Sequence, residues 1–213
     1  MVEEIKNRFL EIAKEKIQRD GIEALLEYLE KSDFFYAPAS SRYHCDHEGG
    51  LAEHSINVYE RLRQNILNEY GNFDTISEET IAICGLFHDL CKIEYYTVSM
   101  RNVKEDGKWV QKPFYTVDEK LPYGHGEKSV YIINGFIRLT REEALAINWH
   151  MGGFDARVGA TGGFALSESY RRYPLALWLH VSDIVATYID ENSLLKREQK
   201  DEKQEKVEDK EEE

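Results

Sequence analysis

The chain has 213 residues, 42% of them hydrophobic, and a formal net charge of −13 from 27 Lys and Arg against 40 Asp and Glu. That length suits one domain with its own core, since domains commonly run to about 100–200 residues. No run approaches the roughly 18 apolar residues of a membrane span, and the charged N-terminus lacks the apolar stretch of a secretory signal, so a cytoplasmic protein that engages no membrane is expected.

The charge is spread along the chain. From Lys196 onward nine acids face six bases, which leaves −10 on the rest. An acidic body repels long nucleic acid, whose binding rests on many Lys and Arg contacts to phosphate. Small anions remain open as substrates, because bound cations can dominate the field of a pocket. Cys45, Cys84 and Cys91 are odd in number and form no CxxC pair. They are read as small core hydrophobes, not as disulfides or a thiolate zinc site.

In chain order, residues 3–18 and 21–31 read as two amphipathic helices, part of an N-terminal cover over residues 1–40. A loop leads into a long helix over residues 51–70, where Leu51, His54, Val58 and Leu62 share one stripe and turn His54 inward. The next helix starts at Ser77, an N-cap followed by Glu78 and Glu79 in the first turn. It is expected to carry Ile81, Cys84, Gly85, His88 and Cys91 on one face, with Asp89 about 100° further round. Residues 94–117 switch to two β-favouring runs around an Asp-Gly turn signal and predict an inserted β-hairpin. Helices resume over residues 124–139 and after Thr140, which with Glu143 forms a capping box. That helix ends near His150. A glycine-rich stretch with Gly152, Gly153, Gly159, Gly162 and Gly163 predicts a mobile surface loop. Pro174 then opens a last apolar helix that carries His180 and Asp183. The charged tail, residues 196–213, lacks apolar periodicity and reads as disordered or as a frayed helical extension. The expected domain is therefore residues 1–195.

Six residues stand out as metal ligands: His54, His88, Asp89, His125, His150 and Asp183. Asp183 sits among Leu175, Leu177, Trp178, Leu179, Val181, Ile184 and Val185. An ionised carboxylate there is prohibitively unstable unless it is paired or bound to a cation. Each histidine taken singly fits a satisfied core residue. Together, on separate inward helix positions, they can converge on one centre as metal sites in helical bundles do. His180 is read as packing behind the ligands or in the core.

The run GGLAEHSINVYERL, then GLFHDLCK, GHGEKS, NWHMGGFD and LHVSDIVATYID resembles the HD-domain superfamily of metal-dependent phosphohydrolases over about residues 43–190. Within it the chain looks most like stand-alone bacterial or prophage hydrolases. The opening motif is also similar to the HD domain of a bacterial 3′-to-5′ exoribonuclease, whose N-terminal nucleic-acid module this chain lacks. The resemblance implies an all-α HD-domain helical bundle with one inserted hairpin. It implies one divalent metal on His54, His88, Asp89 and Asp183, and a second on His125 and His150 with Asp89 as the bridge. Mn or Fe heads the metals expected, with Ni, Co, Zn and Mg also compatible.

Two such ions clamp the oxygens of a phosphoryl transfer and lower the pKa of a water. The activity expected is therefore phosphomonoesterase or phosphodiesterase action on a nucleotide, dinucleotide or short oligonucleotide, with Asp89 and Lys92 catalytic. Lys92 either steers a phosphate oxygen or the attacking water, or stands as a surface cation. Lys128, Arg171 and Arg172 are further candidates for holding phosphate. The hairpin residues Trp109, Phe114 and Tyr115 either cap the pocket or pack on the bundle. Two alternatives come from other classes: an HD-fold mixed-valent di-iron oxygenase, whose ligands follow a similar order, and a nucleotide-sensing module without turnover. Oligomeric state is not readable from the sequence.

Overall fold

The computed structural model describes residues 1–105, 108–159 and 163–191. Helices dominate: α1 (Val2–Lys16), α2 (Ile22–Lys31), α3 (Gly50–Tyr70), α4 (Glu78–Phe87), α5 (His125–Asn134), α6 (Arg141–Asn148), α7 (Gly163–Arg172) and α8 (Pro174–Val185). Short 3-10 turns follow α4 at Leu90–Lys92 and α6 at Gly152–Phe154, and α8 runs on into a π-helical turn at Ala186–Asp190. Between α4 and α5 a two-stranded antiparallel sheet pairs β1 (Tyr96–Glu105) with β2 (Lys108–Val117), in register from Tyr96 opposite Val117 to Glu105 opposite Lys108. The chain is thus mostly helical with one inserted hairpin, as its patterning predicts. No helix among the described residues is long and apolar enough to cross a membrane.

The core lies between α3, α4 and α8, closed on one side by α1 and α2. Phe9 of α1 meets Phe34 and Phe35 edge-on at 5.1 and 5.4 Å between ring centroids, and Phe87 at 6.0 Å. Such rings combine large burial with a favourable edge geometry. The stripe read on α3 is fully inside: Leu51, His54, Val58 and Leu62 are at most 1% exposed. A buried polar knot ties the N-terminal cover to α6. Arg19 donates to both oxygens of the buried Glu143 at 2.6 and 3.2 Å and to Glu79 at 3.1 Å. Glu143 also completes the expected capping box, accepting from the Thr140 backbone at 2.7 Å while Thr140 Oγ1 accepts from its N–H at 3.2 Å.

Two glycines let helices approach where the ligand-bearing segments meet. A Cβ on Gly85 would stand 2.5 Å from the Tyr59 Cα, so α4 presses directly on α3. A Cβ on Gly126 would stand 2.3 Å from the Asn148 carbonyl, so the start of α5 presses on the end of α6. Contacts below 3.0 Å with backbone cannot be relieved by a rotamer change, which restricts both positions to glycine.

The structure corrects the sequence reading in three places. The α4 helix stops at Phe87 instead of continuing through Cys91, and Asp89 takes φ −106° and ψ 20° before a 3-10 turn. The glycine-rich stretch is not a loop throughout: from Gly163 onward it forms α7, whose Ser169 is buried. Of the cysteines, Cys84 and Cys91 are buried and Cys45 is half-buried, and none of the three forms a disulfide. Cys45 carries a left-handed φ of 42° outside the core. The Asp106-Gly107 turn signal and the tail from residue 196 lie outside the described residues.

Candidate metal centre

Asp89 is the hub. Its Oδ2 faces His54 Nε2 at 3.7 Å and His88 Nε2 at 3.6 Å, while its Oδ1 faces His125 Nε2 at 2.9 Å and His150 Nε2 at 3.4 Å. Each carboxylate oxygen therefore serves its own pair of imidazoles. Asp183 closes the first pair, its Oδ1 lying 3.2 Å from His54 Nε2. All six residues singled out as ligands come together, contributed by α3, the turn after α4, the first residue of α5, the turn after α6, and α8.

The break after Phe87 explains how two neighbours in sequence reach one point. In an unbroken helix His88 and Asp89 would diverge by about 100°. The bridge-region backbone at Asp89 swings its carboxylate back toward the His88 ring.

The imidazoles are held by their far nitrogens. His88 Nδ1–H donates to the Gly85 carbonyl at 2.9 Å, and His150 Nδ1–H to the Ile147 carbonyl at 2.7 Å. A carbonyl only accepts, so in its neutral form each ring turns an Nε2 lone pair inward. Those two Nε2 atoms are buried without a hydrogen-bond partner. A buried acceptor left so is costly, and two of them flanking one carboxylate fit the donor set of a cation. His54 is oriented by Glu191, which accepts from its Nδ1–H at 2.9 and 3.1 Å and from Asn57 at 3.0 Å.

The electrostatics of the protein alone point the same way. Burial disfavours the charged form of Asp183, yet its hydrogen bond to His54 and the neighbouring imidazoles hold it well below the ordinary carboxylate range. Glu191 is likewise buried but held down to about 2, chiefly by His54. His54 answers this field: burial works against its imidazolium, but Glu191 and Asp183 push it up to about 10. His88, for which burial dominates, is pushed down to about 4. The cluster thus attracts positive charge, and in the protein alone protons supply it. Lys92 supplies more, with its Nζ 2.6 Å from Asp89 Oδ2 and its side chain 11% exposed.

The expected phosphate holders part company here. Lys92 lies in the cluster as expected, although engaged by Asp89. Lys128 is buried against Glu119 at 2.9 Å and lines a different cavity, beside Tyr28 and Phe136. Arg171 and Arg172 are exposed on α7 and paired with Glu168. None of these three lines the cavity over the cluster, because each is committed to a carboxylate elsewhere. The hairpin aromatics do not cap it either: Trp109 is 71% exposed, Phe114 lies under Arg101, and from the sheet only Tyr96 reaches the cavity.

Sequence reasoning missed three neighbours, Glu191, Cys91 and His44, and read His180 as packing behind the ligands or in the core. Glu191 reaches His54 because the π turn is wider than an α turn, with its N–H bonded to Ala186 five residues back. His180 donates Nδ1–H to the His150 carbonyl at 2.6 Å and so braces that ligand's backbone. Cys91 lies with its sulfur 3.4 Å from His125. His44 packs its ring 4.8 Å from that of His54, with both ring nitrogens buried.

Comparison of the chain with family models, with curated proteins and with solved structures finds no match. The geometry of the centre therefore carries the functional argument.

Proposed function

We propose that this protein is a metal-dependent phosphohydrolase of the HD-domain type, acting on a nucleotide-like phosphate ester. The observation that supports it above the others is the pair of bare, buried Nε2 atoms on His88 and His150, placed on opposite oxygens of one carboxylate. His54, His88, Asp89 and Asp183 would hold one divalent ion and Asp89, His125 and His150 a second. Ions in such a site polarise a phosphoryl oxygen and lower the pKa of water into the neutral range.

The chain's own groups do the rest. Glu191 and the Gly85 and Ile147 carbonyls fix the ring orientations, and imidazoles so fixed are more basic ligands. Lys92, 2.6 Å from Asp89, is released as a donor for phosphate once a cation takes over that carboxylate. The cavity above is about 290 Å³, and Tyr96 and Thr187 line it together with the cluster.

The test is elemental analysis of the purified chain, then phosphate release from nucleotides and short oligonucleotides with the metal found. Metal-dependent release that vanishes in Asp89→Asn is expected. Unaltered turnover in that variant ends the reading.

The scarcity of cations in the cavity favours a second reading, a mixed-valent di-iron oxygenase built on the same ligand types. Oxygen uptake by the reduced, iron-loaded protein with no phosphate release from any ester would select it.

A further inference from the structure

Tyr43, Phe154 and Tyr188 are 86%, 67% and 58% exposed, and all three line the cavity over the metal cluster. Exposed apolar side chains scattered singly need no explanation, whereas several gathered round one opening mark a binding surface. They come from three separate segments: the loop before α3, the 3-10 turn after α6, and the π turn after α8. The same cavity is poor in fixed positive charge. Among its described lining residues Lys92 is the only Lys or Arg, and it is bound to Asp89.

These two facts constrain the ligand. A phosphate monoester brings about two negative charges. Each added phosphate calls for another cation, which polyphosphate sites supply as Lys and Arg donors. Lys128, Arg171 and Arg172 are tied to Glu119 and Glu168 and do not line the cavity. A ring system, by contrast, meets the exposed side chains of Tyr43, Phe154 and Tyr188 around the opening.

Resting on the hydrolase reading above, we propose that the substrate carries a single phosphate on a flat aromatic half, as a nucleoside monophosphate does, and that this half stacks on Tyr43, Phe154 and Tyr188. Polyphosphates are discriminated against at the same site. Specificity thus comes from the mouth of the cavity, and the metal cluster takes the one phosphate.

The test uses phosphonates, whose C–P bond resists hydrolysis, titrated calorimetrically into the full chain loaded with Mn. Phenylphosphonate is expected to bind about tenfold more tightly than methylphosphonate, the order of one ring stack, and the double variant Phe154→Ala, Tyr188→Ala to bring that ratio near one. A nucleoside 5′-phosphonate is expected to outbind a methylene-bridged nucleoside triphosphate. Equal affinity for phenyl and methyl, or a triphosphate analogue that binds as well as the monophosphonate, overturns the inference. Phosphate release from the matching esters separates the two claims. Ring-selective binding without release defeats the hydrolase reading alone, release without ring preference defeats the stacking proposal alone, and no binding of any phosphonate defeats both.

Discussion

His88 and His150 face each other at 5.0 Å between ring centroids, with planes at 80°, and each is anchored through Nδ1 to the carbonyl three residues before it. Two helices that end just before their histidines thus use the same device to aim a bare nitrogen at Asp89. The cost of keeping those nitrogens unpaired is borne by the metal-free protein. Replacing His88 with Leu is therefore expected to raise the unfolding free energy of the metal-free form by about 1 kcal/mol, read as a higher urea midpoint, while abolishing metal binding. A His88→Leu protein that still binds Mn as tightly as wild type contradicts the assignment.

A cation that binds only the folded chain stabilises it by mass action, about 2.7 kcal/mol at a hundredfold excess over Kd. Urea unfolding with and without Mn is expected to show a shift of this size in wild type. Asp89→Asn, which weakens the oxygen donor shared by both imidazole pairs, is expected to lose most of it.

In the proposed centre Glu191 acts through His54, accepting from its Nδ1–H at 2.9 Å. Glu191→Gln is expected to weaken metal affinity about 10- to 100-fold, the usual consequence of losing a carboxylate behind a ligand imidazole. Metal titration monitored by calorimetry reads this. An unchanged Kd would reduce Glu191 to a packing role.

Gly85 separates α3 from α4 at the level of the cluster. Gly85→Ala places a methyl group against the Tyr59 backbone and is expected to destabilise the fold by about 1–3 kcal/mol. Because His54 lies five residues before Tyr59 on the same helix, metal affinity should fall with it, whereas Thr140→Ala, remote from the cluster, should cost about 1 kcal/mol with metal affinity intact. Equal effects of the two variants on metal binding would refute the link.

Alkaline pH offers a check on the packing behind His150, where the Tyr170 ring stacks on His180. Burial pushes the Tyr170 phenol up to about 12 from its ordinary value of 10.0. Its folded pKa is raised, so its contribution is fully present below pH 10 and is lost as pH climbs from 10 towards 12, where the unfolded chain ionises first. Tyr170→Phe is expected to flatten the fall in stability over that window. An identical slope in the variant would place the phenol in open water.

What could be read in advance follows from what each signal encodes. Periodicity reports which face of a helix is buried, so His54 on the Leu51–Val58–Leu62 stripe was legible, as was Asp183 within its apolar helix. Local chemistry reports caps and turns, so Ser77, the Thr140–Glu143 box and the paired strands of the hairpin were also legible. Periodicity assumes a constant turn, and the site departs from it twice. The helix breaks at His88 and widens after Val185, and those departures are what deliver Asp89 and Glu191. The destinations of Lys128, Arg171 and Arg172 depended on which carboxylates tertiary packing set beside them, and sequence spacing carries no record of that for Lys128 and Glu119. The α7 helix was hidden because glycines dominate its approach and its apolar contacts are few.

Apart from the adjacent His88 and Asp89, every candidate ligand of the cluster comes from a different stretch of chain, from α3 to α8. A half-folded intermediate, or a chain still emerging from the ribosome, can offer a stray ion no more than an isolated dipeptide. Only when α8 docks against α3 do the candidate ligands meet, so any grip on a cation waits until folding is complete.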